Sequence, residues 1–442
     1  MLLKYIVSNY KSIGHDVEFS MLPTSGNTDD RFTSTIHTKA GEWKVLHRGV
    51  LFGANASGKS AFIESIRFAK RFITQGQRSG RRIPVNQFKK PIADLDGLTT
   101  FQFLLYIEGE VYDYGFSLDN ERVHEEWLER LEQDGKFQNI FERKTFYESH
   151  MELIVNGGEL GIDSKFASML ASTLQEKQKN QLFLYKLYDN GVSGVEDLFE
   201  WFDGIEFVFP DSQVKGLDRR VAKDKDFAIE LSHFLQRADT GVENVTTKDL
   251  PIDAESFFKQ INLPDEILQE LYDAQQGTFQ INNRYYIFET ENGQIKLMET
   301  KFQHQLHGEG YFFNRGEESD GTQRLLDLFP ILYNNQRKGR KIYFIDELDR
   351  SLHTALTTEF LNQFIKLAKE CQSQLVITAH DVNIMNLKKL SPDEIWFLEK
   401  NRDGETQIRP FSDFDVDHNG YDVMRSYLEG RFGAVPYIKE EN

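Results

Sequence analysis

The 442-residue chain is 39% hydrophobic and 13% aromatic, contains 36 phenylalanines and has a formal net charge of −18. That composition excludes a disordered chain, and also a protein that coats nucleic acid with its whole surface, which phosphate repulsion would oppose. The single cysteine, Cys371, excludes an intrachain disulfide and fits a cytoplasmic protein. No apolar run approaches the roughly 20 residues of a membrane span, and Ser8, Asn9, Lys11 and Ser12 interrupt any leader-like start.

Residues 1–60 read as strands around a core sheet, with a polar loop at 24–30. The apolar stretch Val50–Phe52 then runs into Gly53, Ala54, Asn55, Ala56, Ser57, Gly58, Lys59 and Ser60, the pattern G-x-x-x-x-G-K-S, and an amphipathic stretch follows from Ala61. Strand, glycine loop and helix form the context in which backbone N–H groups cradle phosphate oxygens at a helix N-terminus. Lys59 is expected to reach the β- and γ-phosphates of ATP, and Ser60 to hold Mg²⁺. From Ser65 to Ala93 there are eight basic residues and no acidic one: Arg67, Lys70, Arg71, Arg78, Arg81, Arg82, Lys89 and Lys90. The segment reads as a solvated face, a nucleic-acid contact or a dock for an acidic partner.

Alternation over 99–107 and 110–117 predicts a hairpin across Glu108-Gly109, with further strands to about 155. Between 160 and 275 helix signals dominate: Phe166, Met169, Leu170 and Leu174 recur at helical spacing, and 226–235 and 266–273 are similar. No heptad run persists, which argues against a long coiled coil. The aromatic stretch 199–209 reads as core rather than as a partner surface. Two β-like runs around 278–298, separated by Asn282-Asn283, predict a second hairpin.

Glu318-Ser-Asp-Gly-Thr-Gln-Arg324 precedes a helical pattern, so Ser319 and Gly321 read either as a helix cap or as an anion site. Lys341–Glu347 is an apolar strand ending in two acids. Pleat alternation would point them to opposite sides, Asp346 toward Mg²⁺ and Glu347 toward the attacking water as base. Gln374–His380 is another buried-type strand, and His380 at its end can contact the γ-phosphate or the water. His353 and His418 read as structural. Asp413, Asp415, Asp417 and His418 read as an acidic loop rather than a calcium site, since they lack the glycine and distal glutamate of an EF-hand.

In this order, the four motifs resemble the ABC-type ATPases, with Walker A, signature, Walker B and switch histidine; Asp349 matches the D-loop position. The opening 1–13, the phrases Tyr112–Phe116 and Phe141–Arg143, and the ending Tyr427–Pro436 narrow the resemblance to RecF/SMC-like heads and to the AAA15 (AAA_21-like) family. The resemblance implies an α/β fold: an ATPase head with a mixed central sheet, an antiparallel β-subdomain and a helical insertion. The expected division is 1–155 for the N-terminal ATPase lobe, 156–300 for a mainly helical insertion or lid, and 301–442 for the C-terminal lobe. It implies ATP and Mg²⁺ as ligands, and a head-to-tail homodimer or higher oligomer in which Ser319 and Gly321 contact the nucleotide of another copy. Gln87 is favoured over Gln102 as the metal-contacting Q-loop residue, because it sits in a loop before the strand at 99–107. Thr378-Ala379-His380 departs from the Thr-Thr-His expected of the family. Many such ATPases belong to bacterial anti-phage or toxin–antitoxin-like systems beside a separate effector, such as a Toprim nuclease, and answer a phage-encoded trigger. With six residues after Pro436, no such C-terminal nuclease domain is expected in this chain. The alternative expectation is a DNA-repair ATPase that binds DNA through its basic segment.

Overall fold

The structure, a computed structural model, describes residues 1–24, 29–89, 97–146, 150–211, 213–214, 216–281, 284–291, 294–306, 309–338, 340–415 and 422–435. The polar loop 25–28, Lys90, the turn Asn282-Asn283, Asp417, His418 and Pro436 lie outside them. The chain divides into two compact units: 1–210 with 335–349 and 357–442, and 211–334 with 350–356.

The first unit holds two large sheets and the two-stranded pair Thr33–Thr38 and Gly41–Leu46. In the six-stranded one the order is Glu206–Val208, Ile342–Ile345, Gln374–Ala379, Arg48–Gly53, Ile395–Lys400 and Thr406–Pro410. The first five strands run parallel and the last antiparallel. Its inner strands are continuous apolar runs because both faces are covered; every residue of Arg48–Gly53, Ile342–Ile345 and Gln374–Ala379 is buried. The other sheet is antiparallel, with seven strands in the order His150–Val155, Phe137–Phe146, Val123–Leu131, Glu110–Leu118, Thr99–Ile107, Leu2–Ser8 and Val17–Ser20. The expected hairpin forms: Ile107 faces Glu110, and Glu108 and Gly109 take φ of 48° and 91°, the left-handed pair that a two-residue turn of matching twist needs.

Helix Lys59–Gln75 belongs to the core shared by the two sheets. Phe62, Ile63, Ile66, Ala69, Phe72 and Ile73 recur at helical spacing on its buried face. Phe62 meets Tyr5 of the antiparallel sheet at 5.6 Å and Phe19 at 5.5 Å between ring centroids, and Leu51 and Trp396 join the same core. The stretch 199–209 is core, as expected, with Phe199, Phe202, Ile205 and Val208 buried.

Of the span 156–300, the helices between Gly157 and Asp203 belong to the first unit. One of them, Phe183–Asp189, is held from the antiparallel sheet. The buried carboxylate of Glu126 accepts the N–H groups of Phe183 at 2.6 Å and Leu184 at 2.9 Å, the donors that a helix start leaves unpaired. The second unit mixes helices Leu217–Lys223, Lys225–Arg237, Ala254–Gln260 and Asp265–Asp273 with five strands. Gln276–Ile281 and Arg284–Glu291 pair as the expected hairpin, and Gln294–Leu306, Val242–Asp249 and Glu309–Asn314 complete the sheet. Phe257, Phe258, Tyr286, Phe288 and Leu297 form its small core.

Candidate functional site

The strand that delivers the phosphate loop is fixed at its start by a buried ion pair. Arg48 donates to both carboxylate oxygens of Glu394, at 3.1 and 2.9 Å, and to the Lys389 carbonyl at 2.6 Å. The loop that follows has little freedom. A Cβ at Gly53 would lie 2.4 Å from the Leu398 carbonyl, and one at Gly58 would lie 2.0 Å from Thr406 Oγ1. Gly58 has φ 110°, a conformation closed to side chains, and Ala56 is also left-handed at 63°. Thr406 Oγ1 donates to the Ser57 carbonyl at 3.0 Å and lies 2.9 Å from Ser12 Oγ. The Lys59 ammonium donates to the carbonyls of Gly53 at 2.6 Å and Ala54 at 3.1 Å. Burial lowers the Lys59 pKa, and the carboxylates of Asp346, Glu347 and Asp349 oppose that shift.

Two strands away from the loop strand, Ile342–Ile345 ends and the acids follow. The expected pleat alternation does not separate them, because the strand stops at Ile345. Instead Glu347 takes φ 49°, and this left-handed residue turns the chain. Thr378, fully buried in the adjacent strand, stitches the turn. Its Oγ1 donates to Asp346 Oδ1 at 2.6 Å and accepts the Glu347 N–H at 2.8 Å, and its carbonyl accepts the Leu348 N–H at 3.0 Å. One carboxylate oxygen of Asp349 accepts the N–H groups of His380 at 2.9 Å and Asp381 at 2.6 Å. Glu347 Oε1 and His380 Nε2 are 3.8 Å apart, with 35% and 39% of their side chains exposed.

A cavity of about 1050 Å³ collects Asn55, Ala56, Ser57, Gly58, Lys59 and Ser60 with Gln87, Glu347 and His380. Four separate parts of the sequence thus face one space. Gly53 and Ala54 line an adjoining cavity of about 540 Å³, with His380, Glu399, Tyr427 and Val435. Gln102, the other Q-loop candidate, lies in a strand and donates to Asp113 at 2.8 Å. Lys11, Glu64, Asn86, Phe88 and Asp403 also face the larger cavity. No motif flags them, because each comes from a loop or helix turn that only the fold brings there. Thr378 carries no sequence signal of its own; the departure from the family pattern is at Ala379.

Ser319 and Gly321 belong to the second unit. Ser319 Oγ accepts the Thr322 N–H at 3.2 Å, capping helix Asp320–Lys338. A Cβ on Gly321 would lie 2.9 Å from the Ser351 carbonyl. Glu318 is 2.7 Å from His304 Nε2. In the basic segment, Arg67 lies 4.3 Å over the Phe209 ring, and Lys70 donates to the carbonyls of Asp203 and Ile205, both at 2.8 Å.

The cavity's chemistry suits a nucleotide and Mg²⁺. The Ser57 hydroxyl is buried and has no hydrogen-bond partner among the described residues, and the loop backbone packs so closely that a Cβ at Gly53 or Gly58 would run into Leu398 or Thr406. Among the described residues no three His, Cys, Asp or Glu side chains cluster as a ready cation cage. Mg²⁺ does not need one, since it binds through one or two protein oxygens together with phosphate oxygens and water. Of the sequence candidates, Ser60 and Gln87 line the cavity, and Asp346 is buried and directly precedes Glu347, which also lines it. Among the described residues no helix is long and apolar enough to cross a membrane.

Solved SMC head structures are similar to this chain. One bound to the C-winged helix domain of ScpA is 12% identical, with a TM-score of 0.40, covering 92% of this chain and 96% of that one. The SMC head domain from Thermotoga maritima is 11% identical, with a TM-score of 0.34 and coverages of 92% and 98%. One with an extended coiled coil, bound to the C-terminal domain of ScpA derived from Pyrococcus furiosus, is 12% identical, with a TM-score of 0.36 and coverages of 97% and 99%. At that distance the α/β, ABC-type head architecture rests on this chain's own mixed and antiparallel sheets. No curated protein matches the chain significantly. Residues 50–386, most of the chain, match the family described as "AAA domain, putative AbiEii toxin, Type IV TA system", and the chain belongs to that family.

Proposed function

We propose that this protein hydrolyses ATP to ADP and phosphate in the larger cavity of its first unit. The observation that carries the reading is the convergence of the phosphate loop, Glu347 and His380 on one space. Backbone N–H groups of 55–60 cradle the phosphates, and the Lys59 ammonium moves from its carbonyl partners to phosphate oxygens. Ser60, Asp346 and Gln87 would hold Mg²⁺, which when bound would neutralise charge on the phosphates. Glu347 orients the attacking water and takes its proton, and His380 donates a hydrogen bond to the γ-phosphate oxygens. Asp349 fixes the backbone of His380.

The family and the sequence resemblance support a finer reading. The chain works as a homodimer or larger homo-oligomer, with Ser319 and Gly321 closing on the nucleotide of another copy. It is the sensor ATPase of an anti-phage system, similar to AriA of the PARIS system, and it controls a separate effector in response to a phage-encoded trigger. Slow turnover suits that role, because a long-lived ATP state can keep an effector in check.

The test is steady-state ATP hydrolysis by wild type and Glu347→Gln, with and without duplex DNA. Glu347→Gln should bind ATP normally and turn over at least ~100-fold more slowly, the usual worth of a positioned base. Wild-type turnover in that variant would sink the base assignment. Salt-sensitive stimulation by DNA would turn the reading toward a repair ATPase and make Arg71 to Lys89 the first residues to replace.

A further inference from the structure

We propose that Thr378 is a positioning residue for Glu347 and Asp346, a role that rests on the ATPase reading above. A threonine hydroxyl has one proton to give and lone pairs to offer. The Asp346 carboxylate can only accept and the Glu347 N–H can only donate, so the hydroxyl has one orientation that satisfies both, at 2.6 and 2.8 Å. The Thr378 carbonyl takes the next N–H, from Leu348, at 3.0 Å. Three successive residues, 346–348, therefore hang from one residue of the neighbouring strand.

The middle one is the strained one. Glu347 at φ 49° is a non-glycine residue in left-handed backbone, which is unfavourable unless the surroundings hold it. The bond to Thr378 Oγ1 is one such hold. Without it the turn can relax toward right-handed backbone, swinging the Glu347 side chain away from the phosphate loop. Thr378 does not line the cavity. It acts through Glu347 and Asp346 and not on the nucleotide, so its loss should show in turnover and not in binding.

Valine and serine separate the hydroxyl from the shape. Thr378→Val keeps the β-branched volume in a buried strand and removes both hydrogen bonds of the hydroxyl; Thr378→Ser keeps the hydroxyl. ATP turnover per nucleotide-binding site and equilibrium ATP affinity are measured for wild type, both variants, Glu347→Gln and the Thr378→Val/Glu347→Gln double variant. Thr378→Val should lower kcat at least ~10-fold with KM and ATP affinity within about 3-fold, and Thr378→Ser should restore kcat to within about 3-fold of wild type. In the Glu347→Gln background, Thr378→Val should change the residual rate little, because the two act as one unit.

Wild-type kcat in Thr378→Val, with Glu347→Gln inactive, would overturn the proposal and leave the ATPase reading intact. Wild-type turnover in Glu347→Gln would overturn the base assignment and the proposal with it, whereas no ATP turnover by the wild type would overturn the ATPase reading itself. A serine variant as slow as the valine one would reduce Thr378 to a packing residue and also overturn the proposal. Should the valine chain fail to fold, Thr378→Cys, similar in size but a poor hydrogen-bond former, takes its place in the same comparison.

Discussion

Gly58 shows how narrowly a single position can be specified. Its φ of 110° lies where side chains rarely go, and a Cβ there would sit 2.0 Å from Thr406 Oγ1. Strain and clash are separate costs, and a second substitution can divide them. Gly58→Ala should lose about 1–3 kcal/mol in denaturant unfolding, the scale of one residue held in unfavourable backbone. Adding Thr406→Ala should recover only part of this, because the closest clash goes while the 2.9 Å approach to the Cβ of residue 406 and the positive φ stay. Full recovery would mean the backbone carries no strain. The glycines, Lys59 and Ser60 were legible in the sequence because their chemistry is local: one loop, one turn, one helix start. Thr378 was not legible. Its partners, Asp346 and Glu347, are about 30 residues away, and only the parallel register of Ile342–Ile345 against Gln374–Ala379 brings them together. The same holds for the left-handed turn at Glu347, since a short apolar strand followed by two acids does not say at which residue pleating ends.

At the scale of elements, legibility follows burial. The inner strands of the mixed sheet are largely apolar runs, and Thr99–Ile107 alternates strictly, so both could be read directly. In the second unit the signal is weaker. Val242–Asp249 buries only Val242 and Val245, and Gln276–Ile281 alternates exposed and half-buried residues without one that is fully buried. Strands of that kind look like loops until their partners are known, and 156–300 therefore reads as more helical than it is. Contacts between elements that rest on buried charge are equally silent in sequence. Glu126 caps helix Phe183–Asp189 from a strand 57 residues earlier, with Arg143 3.9 Å away and the Tyr114 hydroxyl donating at 3.1 Å. Burial raises the Glu126 pKa against the pull of Arg143. Removing the carboxylate leaves a buried guanidinium without its counter-charge and two helix-start N–H groups without an acceptor. Glu126→Ala should therefore destabilise the protein by about 3–5 kcal/mol, the penalty for breaking a buried pair. Hydrogen exchange should localise the earliest opening to 183–189. A loss below about 1 kcal/mol would mean that this helix is held by its apolar face alone.

At the scale of the whole molecule, the residues that could complete the site belong to different units. The lining of the larger cavity is drawn from the first unit, whereas Ser319 and Gly321 belong to the second. If the signature acts on the nucleotide of another copy, ATP becomes part of the interface, and association must depend on it. Charge then sets the conditions. Two copies carrying −18 each repel one another, and that repulsion falls as salt shortens its range, from about 30 Å at 0.01 M to about 10 Å at 0.1 M. ATP-driven association should therefore strengthen with moderate salt, the reverse of what binding to DNA would show. Glu347→Gln, which is expected to hold ATP without turning it over, should double its molar mass in light scattering when ATP and Mg²⁺ are added. Ser319→Arg in the same background puts a bulky side chain at the helix start and should keep it monomeric while ATP affinity changes little. A monomer under every condition would sink the trans assignment. A dimer indifferent to Ser319→Arg would place the interface on another surface, and a dimer that dissolves as salt is raised would show that opposite charges, not shared nucleotide, hold the copies together.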